Sequence, residues 1–177
     1  TLASAPAGGE APADLDSLKT LNSVWSSSAG NTVIAAGLEG GMIHSGLGVL
    51  KNPDKYVRSL WSVSGSQAGV ILLVGSSKQP GLGPVVMTTD SSGIMQLHGD
   101  LRQPSGEVLP DNTMRTGWVS PDGKDVWFAG LNDRVFQYRR DEAGQLTPTT
   151  VCPRGAQTHR VLSMWGTDRN NVWVASR

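Results

Sequence analysis

Val161-Leu162-Ser163-Met164-Trp165, followed after five residues by Asn171-Val172-Trp173-Val174-Ala175-Ser176, is the stretch that decides the fold. Each half is short and rich in β-branched and aromatic residues, and Gly166-Thr167-Asp168-Arg169-Asn170 between them is turn material. The pair therefore reads as a β-hairpin. The same unit occurs three times upstream. Leu21-Asn22-Ser23-Val24-Trp25 precedes Thr32-Val33-Ile34-Ala35-Ala36-Gly37. Val57-Arg58-Ser59-Leu60-Trp61 precedes Val70-Ile71-Leu72-Leu73-Val74-Gly75, and Met114-Arg115-Thr116-Gly117-Trp118 precedes Asp125-Val126-Trp127-Phe128-Ala129-Gly130.

The anchor tryptophans Trp25, Trp61, Trp118 and Trp165 are spaced 36, 57 and 47 residues apart. A repeat of that length with several strands per unit points to propeller blades, and no 3.6-residue periodicity supports a helical repeat. In the second strands, apolar residues fall on both faces. Trp127 and Ala129 point one way and Val126 and Phe128 the other. A strand apolar on both sides belongs to a sheet covered by a neighbour on each face. The small residues Ala36, Ala129 and Ala175 near its end allow close approach of adjacent sheets.

A third strand is expected at 41–44, 84–88 and 134–138, and a fourth at 93–98 and 146–151. Residues 76–83 read as an extended hairpin loop that lengthens the second unit. The predicted fold class is all-β: β-propeller blades, three complete four-stranded units plus a half unit, forming part of a larger or oligomeric ring. Residues 1–19 form an Ala/Pro/Gly-rich arm without periodicity, and residues 20–177 the partial propeller, with units starting near 21, 57, 114 and 161. A closed propeller has about 4–8 complete blades. A second chain is therefore expected to complete the ring, either a fragment following Arg177 or a homodimer mate.

The formal net charge is zero and charged residues make up 17 % of the chain, which gives no global reason to expect nucleic acid as a partner. No apolar run reaches the length needed for a helical membrane span. One cysteine, Cys152, forms neither an internal disulfide nor a cysteine-rich zinc site, and the histidines at 44, 98 and 159 lack metal-ligand spacing. No cofactor, metal or catalytic residue is expected. There is no Gly-x-Ser-x-Gly elbow, and Gly81-Leu82-Gly83-Pro84 leads into no helix, so it is no phosphate loop.

The tryptophan-ended hairpins resemble the tryptophan-rich repeats of exported bacterial β-propellers, whose units run L-x-S-V-W-G-S, D-V-W-A-V-G and G-T-I-L-H. The pattern is similar to those of regulator-type and BNR-like propellers. Val161 to Ala175 carries it most closely, and Leu21 to His44 keeps it with substitutions. Ser120 to Trp127 resembles the Asp-box of sialidase-type propellers, with the glycine one place early. The resemblance implies a non-enzymatic interaction scaffold that is exported, periplasmic or at the cell surface. The arm then serves as tether to a lipid anchor, and the propeller loops bind a protein or glycan. It makes Trp25, Trp61, Trp118, Trp127, Trp165 and Trp173 structural anchors. Two other functions stand beside this one. A glycan-processing propeller enzyme would cluster carboxylates around a central pocket, and a sensor module would belong to a signalling receptor.

The candidate ligand-binding residues are Arg58, Arg115 and Asn22. Arg58 and Arg115 stand at the same place in their repeats, shared with Asn22 and Leu162, and equivalent places in a propeller encircle its axis. A ring holding two arginines suits an anionic or carbohydrate ligand.

Overall fold

Alternating apolar side chains, interrupted every few residues by Gly, Asp and Ser, leave this chain strands and turns to fold into. The computed structural model describes residues 20–28, 30, 32–39, 42–44, 48–50, 56–79, 83–89, 95–99, 101–109, 113–130, 134–152 and 160–177. The expected arm, residues 1–19, and His159 lie outside the described residues. Fourteen strands form among the described residues, and no helix. The fold is all-β.

The first sheet contains β1 (Leu21–Ser26), β2 (Val33–Gly37), β3 (Met42–His44) and β4 (Gly48–Leu50). The second contains β5 (Val57–Gly65), β6 (Ile71–Ser77), β7 (Val85–Thr89) and β8 (Met95–Leu97). The third contains β9 (Met114–Val119), β10 (Asp125–Gly130), β11 (Val135–Arg140) and β12 (Leu146–Cys152), and the last pairs β13 (Val161–Asp168) with β14 (Asn171–Ser176). Every sheet is an antiparallel meander in chain order, and none closes on itself. The first strands contact one another in succession, β1 with β5, β5 with β9 and β9 with β13.

Three of the four turns between first and second strands share one device. Ser27, Ser66 and Ser120 each stand three residues before a glycine in the left-handed region, and each serine carbonyl accepts that glycine's N–H. The serine hydroxyls also accept the N–H of Thr32, Val70 and Asp125. In the third turn the Ser120 hydroxyl donates to Asp122 Oδ1 at 2.6 Å, which holds the Asp122 carboxyl below its ordinary range. The near-Asp-box stretch is thus a turn clasp.

Period-two alternation sorts the core into layers. Ile71 and Leu73 of β6 pack with Ile34, Ala36 and Met42 of the first sheet. Leu72 and Val74 face the other way and pack with Met114, Val126 and Phe128 of the third. Trp118 and Ala129 meet Val161 and Met164 of the last sheet. Each large apolar side chain buried this way stabilises by about 1.5–3 kcal/mol. On the outer faces of the series, Val24 (68 % exposed), Trp165 (60 %) and Trp173 (53 %) remain open, and the two tryptophans stack at 5.1 Å.

Neighbouring first strands fit by size at one recurring place. Trp25, Ser64, Trp118 and Trp165 lie opposite Ile34, Leu72, Trp127 and Trp173. The first three pack toward the residue one step beyond the same place in the following sheet. Trp25 covers Gly65, where a Cβ would enter the indole ring, and Trp118 covers Gly166, where a Cβ would lie 2.9 Å from Cζ2. In the middle interface the sizes reverse. Ser64 is small and meets Val119, whose N–H reaches the Ser64 hydroxyl at 3.4 Å.

The extra length of the second unit is only partly in the expected loop. β6 runs on to Ser77, and Leu101–Leu109 adds a turn-back segment closed by an Arg102–Val108 bridge. Leu101 and Leu109 are buried in the core, and the Tyr138 hydroxyl donates to the Arg102 carbonyl at 2.5 Å. Burial of the Tyr138 phenol pushes its pKa up.

In β2, β6 and β10 one glycine stands where a side chain has no room. A Cβ at Gly37, Gly75 or Gly130 would enter the carbonyl of Thr20, Ser59 or Thr113. Gly130→Ala should therefore destabilise the protein by about 1–3 kcal/mol. Gly99→Ala, where a Cβ meets nothing within 4 Å, should stay close to wild type in the same urea denaturation experiment.

His98 supplies a pH test. Its ring is buried, with Nε2 2.8 Å from the Thr88 hydroxyl, while Arg140 donates to the neighbouring Thr89 carbonyl at 2.6 Å. Burial, and secondarily the Arg140 charge, lower the imidazole pKa from 6.5 to about 4. The unfolded chain takes up this proton near pH 6.5, whereas the folded chain resists it. Stability should be full above that pH and fall between about 6.5 and 4, by something on the order of 2 kcal/mol. Denaturation midpoints measured across this window should flatten in His98→Gln.

Candidate functional site

Each first strand carries at least one residue that its partner strand cannot match. Between Leu21 and Ser23 the register with β2 slips by one, leaving Asn22 as a β-bulge. The same slip falls at Trp61 in β5, Arg115 in β9 and Leu162 in β13. A bulge bends its strand and re-aims the extra side chain. The glycines at the ends of β2, β6 and β10 sit beneath these bulges and admit the carbonyl that the bend pushes inward. In the fourth unit Ser176 takes the glycine's place.

All four bulged residues line one cavity of about 410 Å³, together with Arg160 and Val161. Four consecutive sheets thus contribute one bulged side chain each to a common inner face. An adjoining cavity of about 520 Å³ shares Trp61 and Arg115 and adds Leu38, Glu39, Arg58, Ser59, Ser76, Ser77 and Thr113. The Arg115 guanidinium lies 4.0 Å from the Trp61 ring centroid, a cation–π contact of about 0.5–2 kcal/mol. Asn22 is tied down as well, since its Nδ2 donates to the Leu60 carbonyl at 2.9 Å, joining the first and second sheets.

The expected equivalence of Arg58 and Arg115 needs correction. Trp61, not Arg58, holds the place of Asn22, Arg115 and Leu162. Arg58 is a second bulge in β5, between Val57 and Ser59, and lines only the 520 Å³ cavity. The cause is the length of β5, nine residues against six for β1 and β9, which carries two slips rather than one. Ser64 consequently occupies the position that Trp25, Trp118 and Trp165 hold elsewhere. The sequence holds a signal for this. Counted back from the second-strand glycine, or from Ser176 in the last unit, the bulged residue is always fourteen or fifteen positions away, which selects Trp61 and rejects Arg58.

The other tryptophans divide by environment. Trp25 and Trp127 pack against the inter-sheet cores and Trp118 is buried within one, whereas Trp165 and Trp173 are exposed. Arg160, Glu39 and the hydroxyls Ser59, Ser76, Ser77 and Thr113 also line the cavities, and the repeat spacing does not single them out. Glu39 is the carboxylate lining these cavities among the described residues, and Arg58, Arg115 and Arg160 form no ion pair with a described carboxylate. No group of three His, Cys, Asp or Glu side chains converges among the described residues as a metal site would require.

A solved structure titled "Structure of U3-55K" superposes on this chain with a TM-score of 0.63, over 88 % of this chain and 45 % of that one. Sequence identity is 12 %. Likeness at that level speaks for the fold alone. The chain spans less than half of that neighbour's length. No protein-family model and no curated protein matches the sequence.

Proposed function

We propose that the four sheets are consecutive blades of a β-propeller and that the protein is a non-enzymatic interaction scaffold. The observation that carries this reading is the inner face: four successive sheets, each giving one bulged side chain to a single cavity. Successive blades around an axis present equivalent residues in this way. The match to U3-55K, a propeller-like WD40 protein, supports the same architecture. Arginines, hydroxyls and a tryptophan line the cavities, with Glu39 as the carboxylate among the described lining residues. This lining favours binding over glycoside cleavage, which uses a pair of carboxylates flanking the bond.

Ring completion follows from the same repeat. Trp25 and Trp118 are each covered by the following sheet, while Trp165 in the equivalent place is open. A further blade on the Trp165 face would bury it as its counterparts are buried, and the exposed Val24 face offers the other end of the arc. A partner chain or a second copy would supply these blades where the ring is completed in trans. The Ala/Pro/Gly-rich 1–19 segment suits a tether between a surface anchor and the propeller, which fits an exported setting.

Static light scattering of the isolated chain tests the completion in trans. The expected mass exceeds 18.7 kDa, with Trp165→Ser returning it toward the monomer value. A stable monodisperse species of 18.7 kDa that is indifferent to this substitution would contradict it.

A further inference from the structure

We infer that the inner face takes a carboxylate-bearing protein segment, an acidic peptide strand or loop, held by Arg58, Arg115 and Arg160. The inference rests on the reading of this face as the scaffold's binding surface, and it names the chemistry of the ligand.

Three guanidinium groups gather here, in a chain whose formal net charge is zero and whose charged residues are sparse. Their donors lack carboxylate partners among the described residues, and a guanidinium fork matches a carboxylate with two parallel hydrogen bonds. Arg115 is held in place by its contact with Trp61, so less side-chain freedom is lost when it binds. It is also shared by both cavities, which makes it the central contact of an extended ligand.

The lining separates a peptide from a glycan. Sugars bind by laying a ring face on an open aromatic platform, but Trp61 is the aromatic side chain lining both cavities and Arg115 covers its ring. A peptide carboxylate needs no such platform. It needs forks and short donors, and Ser59, Ser76 and Thr113 stand beside the arginines. A nucleic acid would call for a longer basic track than three arginines opposed by Glu39.

The test is a fluorescence-anisotropy titration of the full chain with fluorescein-labelled hexaglutamate at low salt, with inorganic phosphate and a heparin-derived tetrasaccharide as competitors. The expected result is saturable binding that weakens about tenfold or more in Arg58→Gln/Arg115→Gln/Arg160→Gln, the scale expected for lost charge-assisted hydrogen bonds. Arg58 and Arg160 are exposed, so Arg58→Gln/Arg160→Gln alone should weaken binding with an unchanged thermal melt, even if the Arg115 substitution perturbs folding. Three results would overturn the inference: no binding of hexaglutamate, equal binding by the arginine variants, or displacement by phosphate or the tetrasaccharide at concentrations no higher than unlabelled hexaglutamate requires. A chain that assembles in light scattering yet ignores the peptide contradicts only this inference. A monomer that binds the peptide through its arginines contradicts only the ring completion.

Discussion

A main-chain carbonyl occupies the space where a side chain would begin at Gly37, Gly75 and Gly130. That close approach is the constraint on which the inner face depends. The carbonyls belong to Thr20, Ser59 and Thr113, at the root of each first strand, and they reach the glycine because the strand carries an unmatched residue there. A Cβ at any of these three glycines would collide with that carbonyl, whereas in the fourth unit Ser176 carries a Cβ beside the Leu162 bulge. In these three units the glycine makes room for the backbone path that carries Asn22, Trp61 and Arg115. Local backbone sterics, rather than the chemistry of the inner residues, build the site.

The second organising feature is volume compensation between sheets. Interiors pack at crystal-like density, so a tryptophan on one first strand demands an absent side chain on the next. Trp25 with Gly65 and Trp118 with Gly166 satisfy this directly, and Ser64 with Val119 satisfies it in reverse. The three interfaces thus pair a larger residue with a smaller one through different residues. Trp165 stands at the next place in the series with its partner position open, which explains why an aromatic pair so like its buried counterparts is left in solvent.

Much of this was legible in the sequence. The hairpins, the first strands beginning at Leu21, Val57, Met114 and Val161, and the two-faced burial of Val126 to Ala129 follow from periodicity and turn chemistry. The fourth strand of the first sheet, Gly48–Leu50, did not stand out, because three residues carry too little pattern. The inner face was half legible. Asn22, Arg115 and Leu162 share a place in the repeat, but Trp61 was read as an anchor because it ends an apolar run as Trp25 does. A second slip inside β5 and the substitution of Ser64 for tryptophan displaced the register by three, and volume compensation concealed the change. Arg160 precedes its strand and joins the site only through the tertiary approach of β13 to β9.

The register of β5 decides whether the inner face exists as described. It is read most directly by two-dimensional NMR of the folded chain, through nuclear Overhauser contacts of the Trp61 indole. With Trp61 bulged inward, its ring protons should show contacts to the Arg115 side chain, whose methylene resonances move upfield in the ring current and return in Trp61→Leu. Contacts from the Trp61 indole to the Val119 methyls instead, with Arg115 at random-coil shifts, would put Trp61 in the inter-sheet place of Trp25 and contradict the account.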